Sequence, residues 1–291
     1  MSKVDIVVFG AAGMLGSDIM EELRARGISA QGFDLADGDI TDAASCEALV
    51  ARTQPRAVIN CAAFTDVNGA ESHREEALRI NATGAGNIAR ACAAHQVRCV
   101  FVSTDYVFDG TKDSPYLESD EPNPISAYGY SKWLGERETA AAAPNHAIVR
   151  TSWLYGVRGR SFPATILAAA RAGKPLRVVN DQTGAPTYTR DLARALAEVA
   201  LMSGTGIFHA TNGGACTWYE FACEILRRAG VTPVALEPCR TAEYPTPARR
   251  PANSRLANVR LAAAGVPPLP PWPDALDRYL AEAGQLAGRQ H

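Results

Sequence analysis

Short apolar runs alternate with longer segments of helical character through the first half of the chain. The runs predict five strands, at Val4–Phe9, Ala30–Phe33, Ala57–Ile59, Val100–Val102 and Ile148–Arg150. The segments between them predict helices at Ser17–Arg26, Asp42–Thr53 and Glu71–His95, and a further helix from Tyr128. Alternation of strands and helices in this order predicts an α/β fold with a Rossmann-like, doubly wound parallel sheet.

Beyond about residue 155 the predicted elements become shorter and the loops longer. Helices are predicted at Phe162–Ala172, Arg190–Met202 and about Thr217–Ala229, with short strands within 171–179 and at Gly206–Ala210. From Glu237 onward prolines accumulate. We interpret residues 1–155 as a dinucleotide-binding domain. Residues 156–291 are then mainly a smaller C-terminal substrate-binding lobe, with part of the chain returning to the first domain.

Composition narrows the class of protein. The chain has 291 residues, of which 47% are hydrophobic and 21% charged, as in soluble domains with a real core. A net charge of −2 does not favour a nucleic-acid partner or a membrane surface. No apolar run is long enough to span a bilayer, and MSKVDIVVFGAAG lacks signal-peptide features. The seven cysteines include no C-x-x-C pair, which favours buried thiols and a cytoplasmic location.

A glycine-rich loop follows the first predicted strand and precedes a helix. It reads GAAGMLG and contains Gly10, Gly13 and Gly16, with Met14 and Leu15 between the last two. Glycines allow a backbone to turn tightly against a pyrophosphate, and the free N–H groups of a helix N-terminus bind phosphate. The spacing is G-x-x-G-x-x-G, and the alternative interpretation is a structural turn.

An acidic residue ends the second predicted strand. Asp34 lies 21 positions after Gly13, where a carboxylate can accept hydrogen bonds from an adenosine ribose. It would repel a 2′-phosphate, and 32–41 contains no Arg or Lys to offset it. The pattern favours NADH without excluding NADPH. The alternative is a turn aspartate that faces water.

The segment from Ser103 to Lys132 contains the candidate catalytic groups. Tyr128 and Lys132 are four residues apart, which places both on one face of a helix. An ammonium beside a phenol lowers the phenol pKa, so Tyr128 is a candidate general acid or base. Ser103 or Thr104, at the end of the preceding strand, could bond the same reacting oxygen. A surface tyrosine beside a solvated lysine is the alternative.

Two further features suggest ligand contacts. Small residues follow the third predicted strand in NCAAFT, where a cofactor could lie close to the backbone. Arg249 and Arg250 are adjacent in a proline-rich loop and could clamp a diphosphate, or form a solvated loop or salt bridge. Asn81, inside a predicted helix, could face solvent or tie that helix to the active-site strand.

Taken together, these motifs resemble dTDP-4-dehydrorhamnose reductases of the extended short-chain dehydrogenase/reductase superfamily. The resemblance covers Val4 to about Leu261. It rests on GAAGMLG, NCAAFTDV, STDYVFDG, YGYSK, RTSWLYG, DQTGAPT, TWYEF and YPTPARRPANSRL in that order.

The resemblance implies an NAD(P)H-dependent reduction of the C4 ketone of a nucleotide sugar, dTDP-4-dehydro-L-rhamnose. It implies that Tyr128 protonates the ketone oxygen, that Lys132 binds the nicotinamide ribose and lowers the Tyr128 pKa, and that Thr104 bonds the reacting oxygen. Expected substrate contacts are Thr104, Asp105, Trp153, Arg249 and Arg250. Expected cofactor contacts are Gly10, Gly13, Met14, Leu15, Gly16, Asp34, Asp39, Ile40, Ala62, Ala63, Phe64, Thr65, Tyr128 and Lys132.

One departure concerns a metal. Some members bind Mg²⁺ with acidic residues at a dimer contact, including one just after the P-T of the DQxGxPT loop. Here that region reads PTYTRD, and Arg190 lies close to the expected carboxylate. We therefore expect no metal there, and a homodimer through other contacts stays open. Two alternative functions also stay open: another nucleotide-sugar reductase or epimerase, and a non-catalytic relative similar to the regulatory subunit of methionine adenosyltransferase.

Overall fold

The computed structural model describes residues 4–232 and 235–286. Its strands are β1 (Ile6–Phe9), β2 (Ala30–Phe33), β3 (Ala57–Asn60), β4 (Arg98–Thr104), β5 (His146–Thr151), β6 (Leu154–Tyr155), β7 (Leu176–Val179), β8 (Thr183–Gly184), β9 (Thr187–Tyr188), β10 (Gly206–His209), β11 (Cys216–Thr217) and β12 (Leu236–Cys239). Its helices are α1 (Met14–Ala25), α2 (Ala43–Thr53), α3 (Arg74–Leu78), α4 (Ala85–Ala94), α5 (Ala127–Ala142), α6 (Phe162–Arg171), α7 (Thr189–Leu201), α8 (Trp218–Ala229), α9 (Val259–Ala263) and α10 (Trp272–Glu282).

Six strands form the main sheet, in the order β2-β1-β3-β4-β5-β10. All of its neighbouring strands are parallel. The chain leaves β1 toward β2 and returns to β3 on the other side, so the topological switch point lies between β1 and β3. Ligands of such sheets bind at the carboxyl ends of the strands beside this point. The predicted doubly wound α/β fold is confirmed.

Side chains alternate between the two faces of the sheet along each strand, and helices bury both faces. Ile6 and Val8 face a core shared with α1 and α7. Val7 and Phe9 face the opposite core, shared with α2 and α4. Burial on both faces explains why the strands read as continuous apolar runs and not as alternating patterns.

The second half of the chain contributes to two bodies of structure. β10 extends the main sheet by pairing with β5, and α7 packs against α1. The elements α6, α8 and α10 surround a separate core that contains Tyr155, Tyr188 and Phe221. β7 and β12 form a parallel pair beside it. The sequence patterns predict neither β12 nor α10, and the domain boundary after residue 155 stays a prediction.

Helix caps set where two functionally important helices begin. Ser126 precedes α5, and its hydroxyl accepts a hydrogen bond from Gly129 N at 3.1 Å. Thr217 and Glu220 form a capping box at the start of α8. The Ser126 cap starts α5 immediately before the Tyr128-x-x-x-Lys132 pair, so both side chains lie in its first turns.

The long predicted helix around Asn81 is interrupted by a wider turn. Residues Arg79–Gly84 are π-helical and join α3 to α4. Asn81 is buried here, its Oδ1 accepts from Phe64 N at 2.8 Å, and its Nδ2 donates to Ser131 Oγ at 2.9 Å. Asn81 therefore ties the loop after β3 to α5. π-Helical turns are often found at functional sites.

None of the helices within residues 4–232 and 235–286 combines the length and the apolar character needed to cross a membrane.

Candidate active site

A cleft of about 980 Å³ opens at the carboxyl edge of the main sheet. It extends from the glycine-rich loop, past the ends of β2 and β3, to the end of β4 and the beginning of α5. The predicted site residues that line it are Gly10, Gly13, Met14, Leu15, Gly16, Asp34, Asp39, Ile40, Ala62, Ala63, Thr65, Thr104, Asp105, Tyr128, Lys132 and Trp153. Residues from distant parts of the sequence thus meet in one space.

The glycine-rich loop has no room for side chains at two positions. Gly10 has a φ of +76°, and a Cβ there would lie 2.8 Å from Ala62 N. A Cβ at Gly16 would lie 2.1 Å from Gly10 O. Helix α1 starts at Met14, after Gly13, which makes no side-chain cap, so its first N–H groups face the cleft free of a capping side chain. This bare, positively polarised cradle fits a pyrophosphate.

A carboxylate and a guanidinium line the far end of the cleft, where the adenosine of a cofactor is expected. Asp34 accepts hydrogen bonds from Ala12 N at 3.0 and 3.1 Å, which fixes its carboxylate beside the glycine-rich loop. Arg79 lines the same end, donates to Thr41 Oγ1 at 2.6 Å and lies 3.5 Å from Asp39 Oδ2. The sequence window 32–41 contains no cation, but the fold brings one from the π-helical turn. The absence of Arg and Lys from 32–41 therefore does not mean that this end of the cleft lacks a cation.

Tyr128 lies partly buried in the cleft, with its ring edge-on to Tyr106 at a centroid distance of 6.0 Å. Burial, together with the charge of Asp105, raises the pKa of Tyr128 to about 12, although the Thr104 hydroxyl acts in the opposite direction. Desolvation of the phenolate dominates this shift, and the expectation that Lys132 lowers the Tyr128 pKa stays a prediction. A phenol with this pKa keeps its proton near neutral pH, as a proton donor must.

Lys132 is 3% exposed at the floor of the cleft. Its ammonium donates to Val102 O at 2.7 Å and lies 4.1 Å from the centroid of the Phe101 ring. Burial lowers the pKa of Lys132 to about 8, and the charge of Glu136 opposes the shift. One carbonyl and one aromatic face leave ammonium protons available to a ligand in the cleft.

The end of β4 separates the two hydroxyl candidates. Ser103 Oγ donates to Glu136 Oε1 at 2.5 Å, away from the cleft floor and into a buried ion pair. Thr104 Oγ1 accepts from Tyr106 N at 3.2 Å and donates to Asp105 Oδ1 at 3.0 Å. Since the Thr104 hydroxyl also faces Tyr128, Thr104 is the better placed of the two.

Asp105 is buried beside this hydroxyl. It is 2% exposed, and burial raises its pKa to about 7. Its Oδ2 has no hydrogen-bond partner within the described residues. A buried carboxylate oxygen without a partner at a cleft wall can accept a hydrogen bond from a hydroxyl group of a bound ligand.

Three predicted contacts do not line the cleft. Phe64 is held behind it through its backbone, which bonds to Asn81. Arg249 is exposed and lies away from the cleft. Arg250 donates to Thr246 Oγ1 at 2.6 Å, and its positive charge acts on nearby Tyr106. Neither arginine lines this cleft, and the diphosphate clamp stays a prediction.

Among the cleft residues that were not predicted as site residues, Arg79 and Trp218 have side chains suited to ligand contact. Arg79 could not be found by scanning 32–41, because only the fold brings it beside Asp39 and Thr41. Trp218 lines the cleft and stacks on Trp153 at a centroid distance of 3.6 Å. Its place in TWYEF, directly after a capping threonine, is the sequence signal that it occupies a fixed position.

The acidic residues around Arg190 form salt bridges with arginines. Arg190 pairs with Glu282 and lies 2.9 Å from Glu21 Oε2. The neighbouring Asp191 is buried and pairs with Arg278 at 2.6 Å. Within the described ranges no three His, Cys, Asp or Glu side chains are grouped so that they could hold a metal ion.

The parallel sheet, the glycine-rich phosphate cradle and the Thr104–Tyr128–Lys132 group together define an oxidoreductase of the Rossmann type. Residues 4–285 match the family model described as RmlD substrate binding domain. The chain belongs to this family.

Known relatives are similar over nearly the full chain. This chain is 40% identical over 282 residues to a dTDP-4-dehydrorhamnose reductase of Mycobacterium tuberculosis, and the match covers 95% of this chain and 92% of that protein. It is 38% identical to a dTDP-4-keto-6-deoxy-D-glucose reductase of Streptomyces niveus, with 93% and 94% covered. The structure superposes with a TM-score of 0.93 on a dTDP-4-dehydrorhamnose reductase of Bacillus anthracis solved in complex with NADP, at 36% identity and covering 96% and 99% of the chains.

Proposed function

We propose that this protein is a dTDP-4-dehydrorhamnose reductase, which reduces the C4 ketone of dTDP-4-dehydro-β-L-rhamnose to dTDP-L-rhamnose. The observation that carries the proposal is the convergence of Thr104, Tyr128 and Lys132 in the same cleft as the glycine-rich loop. A ketone reduction needs a hydride donor and a proton donor at one carbonyl, and a continuous cleft provides for both.

The proposed roles follow from the contacts. When bound, NADH or NADPH supplies the hydride. Tyr128 gives its proton to the ketone oxygen, and Thr104 orients that oxygen by a second hydrogen bond. Lys132 binds the nicotinamide ribose, and its charge stabilises the phenolate that remains after proton transfer. The glycine-rich loop holds the phosphates of the cofactor, and Asp34 accepts from the adenosine ribose.

The direct test is the oxidation of NADPH and NADH by the purified protein with dTDP-4-dehydro-L-rhamnose. We expect stoichiometric formation of dTDP-L-rhamnose. Parallel assays with dTDP-4-keto-6-deoxy-D-glucose and with UDP-linked 4-keto sugars test the alternative reductase function, for which the Streptomyces niveus relative is the motive. Absence of turnover with every one of these sugars would favour the non-catalytic alternative.

Replacing Lys132 by methionine should weaken cofactor binding roughly 10- to 100-fold, the equivalent of one lost hydrogen bond from a charged donor. The methionine keeps most of the buried chain length but has no ammonium for the ribose. Titration of cofactor by fluorescence or calorimetry measures the effect. Lys112→Met is the matched control, because Lys112 pairs with Asp120 outside the cleft. An unchanged dissociation constant in Lys132→Met would contradict the proposed role.

Replacing Asp34 by alanine should lower the ratio of kcat/KM for NADH to that for NADPH by about 2- to 100-fold, because a charged hydrogen-bond acceptor is lost and 2′-phosphate repulsion is relieved. Loss of the bond from Ala12 affects both cofactors, so it cancels in the ratio. We propose that both cofactors are used in the wild type. A ratio that stays constant or rises means that Asp34 does not reach the ribose.

Arg79→Ala provides the comparison of opposite sign. Arg79 is 54% exposed and lines the cleft end that Asp34 occupies. Its guanidinium is the cation there that can approach a 2′-phosphate. The NADH/NADPH ratio of kcat/KM should therefore rise in Arg79→Ala. A fall in the ratio would assign Arg79 another role.

The assembly and location of the protein are also proposals. The family resemblance motivates a homodimer, which analytical ultracentrifugation would test. All seven cysteines are free, and the pKa of buried thiols such as Cys46 is raised to about 12, which suits a reducing cytoplasm. Fractionation of the source cells would test the location.

A further inference from the structure

Trp153 has an unusual backbone conformation. Its φ is +47°, in the left-handed region that a bulky side chain rarely adopts. Gln54 and Gln96 share this property within the described residues, but both follow the last turn of a helix, where left-handed residues are common. Trp153 lies instead between β5 and β6, in the wall of the cleft. A strained residue at a functional site persists only when its surroundings hold it there.

The strand that faces Trp153 holds it from one side. The Trp153 indole occupies the space beside Gly184, where an added Cβ would lie 2.4 Å from Trp153 Cε2. Its carbonyl accepts from Thr187 N at 3.3 Å. The preceding Ser152 Oγ donates to Ala185 O at 2.6 Å. The segment 184–187 therefore fixes the backbone of Trp153 and requires a glycine behind the ring.

Trp218 covers the other side of the indole. The two rings are nearly parallel, with an interplanar angle of 8° and centroids 3.6 Å apart. Phe162 packs against Trp218 at a centroid distance of 4.6 Å. Trp218 is the first residue of α8, and the Thr217–Glu220 capping box fixes that helix end. The position of Trp218 is therefore set by secondary structure and packing, independently of Trp153.

We propose that Trp218 is a positioning residue that holds the Trp153 indole in its cleft-lining arrangement, so that Trp153 can make the substrate contact that the family resemblance implies. The inference rests on the proposed function, since it names the sugar nucleotide as the ligand of Trp153. Flat aromatic surfaces are common linings of small-molecule sites. Without the stacking partner, the Trp153 indole loses the contact that holds one of its faces and can turn away from the cleft.

The test compares Trp218→Leu with Trp218→Phe. Loss of an aromatic pair should raise KM for the sugar nucleotide roughly 3- to 10-fold, with kcat and the cofactor dissociation constant nearly unchanged. Phenylalanine restores a planar partner and should recover most of the wild-type KM. Gly184→Ala pushes the indole from the opposite side and should raise KM in the same way. Unchanged KM in Trp218→Leu, or no recovery with phenylalanine, would overturn the proposal.

Trp272→Leu controls for loss of stability alone. Trp272 packs edge-on to Phe221 in the same lobe, at 5.7 Å, but does not line the cleft. It should lower the melting temperature without raising KM. Calorimetric binding of dTDP-L-rhamnose to the same variants repeats the comparison without turnover. Wild-type binding without reduction would reject the proposed function and leave the Trp218 comparison decisive, whereas no binding at all would overturn both.

Discussion

Tyr128→Phe should reduce kcat for the proposed reduction by about 10²–10⁴-fold, the usual contribution of general acid catalysis. The variant keeps the aromatic ring, and hence the edge-on contact with Tyr106, but has no proton to give. Because burial raises the pKa of Tyr128 to about 12, the wild-type hydroxyl is protonated near neutral pH and can act as the acid. Steady-state and single-turnover oxidation of NADPH measure the loss.

Tyr130→Phe is the matched control for this experiment. Tyr130 lies on the same helix, two positions on, and is 45% exposed. Removal of the Tyr130 hydroxyl should leave kcat unchanged. Cofactor affinity should be nearly equal in the wild type and both variants, since the ring at 128 is kept. Near-wild-type turnover in Tyr128→Phe would show that another group donates the proton.

Glu136→Ala should lower the free energy of unfolding by about 3–5 kcal/mol, because it leaves a buried arginine without its counter-charge. Arg150 is fully buried, and its Nε and Nη2 donate to Glu136 at 2.8 and 2.7 Å. Ser103 donates to the same carboxylate. The pair connects α5 to β4 and β5, the elements that carry the catalytic groups. Urea unfolding at equilibrium measures the difference.

Glu138→Ala is the control on the same helix. Glu138 lies 3.4 Å from Arg90, and both side chains are about half exposed, at 51% and 52%. Exposed pairs contribute about 0–1 kcal/mol, so this variant should unfold close to the wild-type midpoint. Similar midpoints for Glu136→Ala and Glu138→Ala would mean that the buried pair contributes no more than a surface pair.

Much of the architecture could be read from local patterns. Strands buried on both faces give short apolar runs, and the segments between them have helical periodicity. Caps such as the Thr217–Glu220 box mark helix starts to within a residue or two. By contrast, α10 starts after prolines, and β12, which includes Pro238, has little strand character. Neither pattern predicts its element, because both depend on packing against the C-terminal core.

The candidate site could be predicted where motif and topology agree. The glycine-rich loop, the end of β4 and the start of α5 each end or begin an element at the carboxyl edge of the sheet. Parallel strands bring those ends together whatever the surrounding sequence. The environment of each group was a different matter. The direction of the Tyr128 pKa shift depends on desolvation, which the four-residue spacing to Lys132 does not encode.

The sequence by itself determined the α/β class, the succession of the main strands along the chain and the residues that meet at the sheet edge, because these follow from periodicity and short-range motifs. Only the tertiary structure decided that Thr104 faces Tyr128 while Ser103 turns to Glu136, and that Arg79 joins Asp34 and Asp39 at one end of the cleft. It also separated Arg249 from the cleft and stacked Trp218 on Trp153. The physical reason is that these relations are set by contacts between residues far apart in the chain, whose distances and solvent exposure exist only once the chain is folded.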